Sequence, residues 1–128
     1  MVAERLVSIQ WLAVGCGAAI GAWIRWGLGI ALNASMLPMG TLVANLGGGL
    51  LMGMAMAYFA STSAQDPTRL LVMTGFLGGL TTFSAFSAEA FNFLQKQQYA
   101  CAGHIASHVV GSLLMTAFGF ALVHYMRS

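Results

Sequence analysis

The chain has 128 residues, of which 59% are hydrophobic and only 6% charged. So few charges cannot cover the surface of a soluble domain of this size, which leaves a polytopic membrane protein as the fitting class. A net charge of +2, carried by scattered residues, builds no basic patch, so nucleic acid is excluded as a partner and no protein partner is evident.

About 20 apolar residues cross the hydrocarbon core as a helix. Four windows qualify, so residues 1–128 read as one transmembrane domain with spans at 9–32, 40–60, 70–94 and 100–126. The first window follows Arg5 and superficially resembles a secretion signal. It runs on through Arg25 and Trp26 without a small-residue cleavage site, and further spans follow, so it reads as a membrane helix. No soluble domain is expected before or after it. Arg25, near its end, can snorkel or make a positive vestibule for anions.

Breaks between the windows carry turn chemistry: Asn33, Ser35 and Pro38, then Asp66-Pro67, then the polar run around Lys96. Four spans would put Arg5, Arg69 and Arg127 on one side, with Lys96 and Arg25 toward the other. Because Lys/Arg bias sets orientation, so even a distribution suits insertion both ways round and an antiparallel pairing of two copies. A weak single orientation is the alternative.

Glycine pairs at GxxxG spacing recur in three spans: Gly17 and Gly21, Gly49 and Gly53, Gly75 and Gly79. Such pairs let helix backbones approach closely in lipid. In the second span Thr41 and Asn45 share a face, and the Asn45 amide could either solvate an anion or bond a neighbouring helix. In the fourth span His104, His108 and Ser112 repeat every four residues, with Ser107 beside them and Thr116 continuing the stripe, which reads as a polar track or as packing and back-bonded residues. Cys16 and Cys101 lack metal-site spacing and read as buried thiols in apolar segments.

The third span holds the most unusual stretch, GFLGGLTTFSAFSAE from Gly75 to Glu89. Lipid satisfies no peptide group, so backbone loosened by Gly75, Gly78, Gly79, Thr81 and Thr82 must be buried in protein, line a polar path or hold an ion. Phe83 and Phe86 are interleaved with Ser84 and Ser87, and a ring edge is electropositive enough to meet a small anion. Glu89 is the one carboxylate within a span, which suits an aqueous vestibule or a proton carrier.

At these residues the chain resembles the Fluc family, the CrcB-type fluoride channels. The likeness covers nearly the whole length through GAWIRW, GTLVANLGGG, GFLGGLTTFSAFSAE and GSLLMT. It implies an all-α, dual-topology antiparallel homodimer of four-helix subunits with a broken third helix and two pores. Asn45, Phe83, Phe86, Thr41 and Ser112 would then form the fluoride pathway, with Arg25, Glu89 and His108 as vestibule or helix-end polar residues. A structural Na+ at the dimer centre would be held by the backbone carbonyls of Gly78 and Thr81. The implied activity is passive fluoride export across a bacterial inner membrane, lowering fluoride toxicity, with no enzymatic step. The rival reading is a small proton-coupled multidrug exporter. That mechanism calls for an acid in the first span, where this chain has Arg25 and none.

Overall fold

A computed structural model describes residues 1–33 and 37–128, so Ser35 in the first connection lies outside the described residues. Helix α1 spans Val2–Leu32 and α2 spans Met39–Tyr58. The third membrane segment, Pro67–Gln95, is composite. It comprises a short turn α3 (Pro67–Arg69), a π-helical stretch Leu70–Leu77, a turn α4 (Gly78–Leu80) and the helix α5 (Phe83–Gln95). Helix α6, Ala100–Arg127, completes four segments long and apolar enough to cross a bilayer.

Helix α1 begins seven residues before the apolar window that the sequence marks out, since helical geometry does not stop where the hydrocarbon does. Glu4 lies in its first turn, where a negative charge complements the helix dipole. The third segment starts three residues before the expected window, because Asp66-Pro67, read as a turn, opens a helix. Asp66 accepts from the amides of Thr68 (2.9 Å) and Arg69 (3.0 Å), and Pro67 occupies the first turn, where its missing N–H costs nothing. Arg69 donates to the Thr62 carbonyl, Gln10 to that of Gln65, and Arg127 to that of Tyr58. These bonds tie the early part of α1, the second connection and the end of α6 to one end of the bundle. The turn after α5 closes on Gln97, which holds a left-handed φ of 50°.

Small residues bring the helices together. A Cβ added at Gly17 or Gly21 would collide with backbone of the third segment, at Leu71 and Phe76 in one case and Phe76 and Leu80 in the other. Reciprocally, Gly75 abuts Val14 and Gly17, and Gly79 abuts Ala18. The two glycine pairs therefore face each other across the seam between α1 and the third segment. Gly49 and Gly53 do the same for α2 against Ser112 and Thr116 of α6, helped by Gly119 against Leu50, a contact that no GxxxG spacing marks. The buried apolar core is correspondingly small, with Ala44, Ala55, Phe59, Leu77 and Leu80. Trp11, Trp23, Trp26 and most other large apolar side chains point outward, as lipid permits.

Of the five residues expected to loosen the third segment, the two threonines make the break and the glycines do not. Gly78 is helical (φ −63°, ψ −37°), and no glycine has a positive φ. Extended backbone falls instead on Thr81 (φ −85°, ψ 153°) and Thr82 (φ −149°, ψ 125°). Each threonine finishes one half. The Thr81 amide and hydroxyl both donate to the Leu77 carbonyl, at 3.0 and 2.9 Å, which closes α4. Thr82 Oγ1 accepts from the Ala85 amide at 3.1 Å and opens α5 as an N-cap. The glycines thus serve close approach, while two adjacent hydroxyl residues make the break. Sequence reading also gives no sign of the π-helical stretch, a rare geometry commonly met at functional sites.

Candidate functional site

The break is held from α2. Asn45 Oδ1 accepts from the Thr82 amide at 2.7 Å, and its Nδ2 donates to the Thr82 carbonyl at 2.9 Å. The amide oxygen thereby replaces the acceptor that the Thr82 N–H gives up by leaving the helix. Nδ2 adds a donor to the Thr82 carbonyl, which as N-cap also accepts the first bond of α5, so both groups are satisfied in a medium that offers no water. The second hydrogen of Nδ2 is directed to Nδ1 of His108 on α6, 2.9 Å away. Asn45 is therefore an interhelical hydrogen-bond hub, with both amide hydrogens engaged by protein.

The carbonyls of Gly78 and Thr81 lose their helical partners at the same place. In an unbroken α-helix the Thr82 amide would reach the Gly78 carbonyl and the Ala85 amide that of Thr81. Here Thr82 turns to Asn45 and Ala85 to Thr82 Oγ1. Gly78 itself is exposed on the subunit surface, and a Cβ there would meet only the Met73 carbonyl at 3.8 Å. Arg25 is not free to snorkel: its Nε donates to the Gly79 carbonyl at 3.1 Å and so supports the turn just before the break.

Above Asn45 lies a polar group that joins three segments. Thr41, buried on α2, donates to Glu89 Oε1 of α5 at 2.6 Å. Glu89 Oε2 stands 3.4 Å from His104 Nε2, and the His104 and His108 rings lie 4.5 Å apart. Phe86, buried, stacks on His108 with centroids at 4.7 Å and an interplanar angle of 26°. Phe83 meets Phe86 edge to face at 5.3 Å yet is 74% exposed. Asn45, Thr82, Phe83, Phe86, His108 and Ser112 all line one open cleft of about 490 Å3 on the side of the subunit.

The structure thus brings together Asn45, Phe83, Phe86, His108 and Ser112 in one cleft, and links Thr41 to Glu89 beside it. Arg25, Gly78 and Thr81 belong to the break itself. Of the fourth-span stripe, Thr116 bonds back to the Ser112 carbonyl and Ser107 to that of Gly103, so these two hydroxyls follow the local, helix-bonded pattern. Thr82 is the site residue whose role sequence reasoning missed. Its only signal was the doubled threonine after two glycines, which marks a break without revealing a partner.

The profile of the CrcB-like protein, Camphor Resistance (CrcB) family matches residues 12–120. The chain belongs to this family. Its CrcB-like relatives include proteins named fluoride-specific ion channel FluC from several bacteria. That of Pseudomonas putida (strain W619) is 53% identical over 119 residues, covering 90% of this chain and 94% of the relative. That of Aromatoleum aromaticum (strain DSM 19018 / LMG 30748 / EbN1) is 55% identical over 114 residues, 86% and 87% of the two chains. The Bordetella petrii (strain ATCC BAA-461 / DSM 12804 / CCUG 43448) relative is 48% identical over 126 residues, 97% and 98%. The matched CrcB-like region contains every residue of the cleft, and with four apolar segments the chain is a multi-pass membrane protein.

Proposed function

We propose that this protein is a fluoride-selective channel that passively exports fluoride from the bacterial cytoplasm, working as an antiparallel homodimer with two pores. The observation that carries the reading is the match, across the whole cleft, to relatives named as fluoride-specific ion channels. Hydrogen fluoride is a neutral weak acid that crosses lipid and dissociates in a more alkaline interior, trapping the anion. A membrane potential negative inside then drives the anion outward at about 2.3 kcal/mol per charge per 100 mV, so no ATP or redox cofactor is required. The process is transport and not enzymatic turnover.

The cleft's shape supports the assembly. A passage open along its side, with Phe83 largely exposed beside buried Phe86, is closed most simply by a second subunit. In this reading the ring edges of Phe83 and Phe86 face fluoride in a narrow passage, while Ser112 and the Thr41–Glu89 pair supply polar contact along it. Arg25 and Glu89 lend the approaches their polarity. The exporter alternative is disfavoured because the single intramembrane carboxyl is committed to Thr41 and lies in the third segment, not the first.

A structural Na+ suits the break. The carbonyls of Gly78 and Thr81 have lost their helical donors, Gly78 faces outward, and carbonyl oxygen is the ligand type a hard cation takes. Gly78 and Thr81 of two subunits would hold it, and its contribution is to fasten the dimer.

Reconstituted into liposomes, the protein should release fluoride and retain chloride, and exhaustive removal of sodium should stop the flux. Equal rates for the two anions, or dependence on a proton gradient, would exclude the selective channel; full flux without sodium would exclude the cation. Orientation has its own expected result. A tag at the carboxyl terminus should be labelled from both membrane faces in one preparation, given the balanced Lys/Arg distribution. Labelling from one face alone would reject the antiparallel pairing.

A further inference from the structure

Most of the tightly packed glycines in this bundle face the backbone of another helix. Gly48, buried on α2, faces a methyl group instead. A Cβ built there would overlap Cγ2 of Thr81, while Thr81 Cβ would stand at 3.7 Å and Leu80 Cδ2 at 3.8 Å. The last two are ordinary contacts, so the whole conflict rests on one carbon. Gly48 also lies about one helical turn beyond Asn45, whose amide holds Thr82. Successive turns of α2 thus touch the two residues that make the break.

The methyl cannot turn away freely. Thr81 Oγ1 donates to the Leu77 carbonyl at 2.9 Å, beside the Thr81 amide at 3.0 Å, and that bond selects one staggered position about χ1. With the hydroxyl placed, the direction of Cγ2 is fixed, and it lies over Gly48. Any other rotamer would carry the hydroxyl off the Leu77 carbonyl. Shape and hydrogen bond therefore specify each other: Thr81 closes α4 with its hydroxyl only where α2 leaves room for its methyl.

We propose that Gly48 is a positioning residue for the break. It seats the Thr81 methyl, locks the Thr81 side chain on the Leu77 carbonyl, and so fixes the Thr81 carbonyl, which has lost its helical donor, for the structural cation. The cation's part in this rests on the sodium reading above. Asn45 and Gly48 then divide the hold of α2 on the break: the first satisfies the Thr82 backbone by hydrogen bonds, the second fixes Thr81 by shape. Gly48 is helical, and the atoms nearest its missing Cβ belong to side chains, so neither backbone freedom nor helix-to-helix approach explains a glycine there.

Amide hydrogen exchange of the full chain in lipid reads the latch without any flux measurement. In Gly48→Ala, exchange at the Thr81 and Thr82 amides should rise about tenfold, the weight of one lost hydrogen bond. Thermal unfolding against sodium chloride, with choline chloride holding the ionic strength, gives the cation's side. The sodium needed for half-maximal stabilisation should rise by a similar factor. Thr81→Ser keeps the hydroxyl and removes Cγ2, so it should stay near the parent. Gly48→Ala combined with Thr81→Ser should return to the parent in both measurements, because the next atoms stand at 3.7 and 3.8 Å from the added carbon. Gly47→Ala, whose Cβ meets nothing within 4 Å, controls for an alanine in α2 itself. Parental exchange and sodium response in Gly48→Ala overturn the proposal. So does a double variant no better than Gly48→Ala, even where Gly48→Ala alone fails to assemble. A wild-type protein indifferent to sodium removes the cation reading beneath, and the exchange results then decide the latch by themselves.

Discussion

Gly53→Ala is expected to be among the most damaging single-methyl changes in this chain. The added carbon would run into the Thr116 carbonyl and lie 2.8 Å from the Phe120 amide, both backbone atoms of α6 that no rotamer change can move. Relief requires α2 and α6 to separate along the seam where Gly49 and Gly119 also sit. Overpacking of this kind costs about 1–3 kcal/mol even when the surroundings shift. In lipid no hydrophobic force pulls the helices back together, which puts the outcome at the upper end of that range. The measurement is thermal unfolding in detergent, followed by monodispersity, with Gly103→Ala as the comparison. A Cβ at Gly103 meets nothing within 4 Å, so that variant should match the parent. Equal unfolding temperatures for the two variants would refute the close-packed seam.

Asn45→Leu should abolish fluoride flux and also loosen the third segment. The leucine fills similar volume but withdraws the acceptor for the Thr82 amide, the donor for the Thr82 carbonyl and the donor for His108. The Thr82 amide, left unpaired away from water, costs about 1–3 kcal/mol, while the Thr82 carbonyl keeps its bond within α5. The strain is removed most directly if Thr81 and Thr82 return to helical geometry, joining α4 to α5 and restoring bonds to the Gly78 and Thr81 carbonyls. Flux in liposomes and amide hydrogen exchange across residues 78–85 should then change together. Full flux with unaltered exchange would mean that the break stands without Asn45.

Much of the architecture was legible from composition. Runs of apolar residues and turn-forming connections marked out four spans, because a bilayer imposes length and hydrophobicity directly on sequence. The glycine pairs announced close contact for the same reason, though not which helices would meet. Local spacing carries no information about whether Gly17 faces Gly75 or a second subunit. The break was legible in position and only partly in cause: Thr81 and Thr82, named with the glycines, make the turn, whereas Gly75 and Gly79 are helical residues that admit α1. Asn45 was marked out by its polarity, and the sequence left open whether it served an ion or a neighbouring helix. Its bonds to Thr82 and His108 lie 37 and 63 residues away in the chain, a separation that no periodicity can express. The π-helical stretch was silent, since Leu70 to Leu77 reads as any other apolar helix.

The outward turn of Trp11, Trp23 and Trp26, set beside the collisions recorded at Gly17, Gly21, Gly53 and Gly79, inverts the usual map of mutational constraint. In a water-soluble domain the bulky apolar residues are fixed by the core, and small residues between them drift. Here bulk is interchangeable wherever it faces acyl chains, and what must be preserved is the absence of side chains along two seams. Lineages of this protein would therefore be free to exchange leucine, methionine, phenylalanine and tryptophan over most of their outer face while holding a sparse lattice of glycines constant. Adaptation to a new membrane thickness or lipid composition can be written on that outer face without touching the machinery inside it.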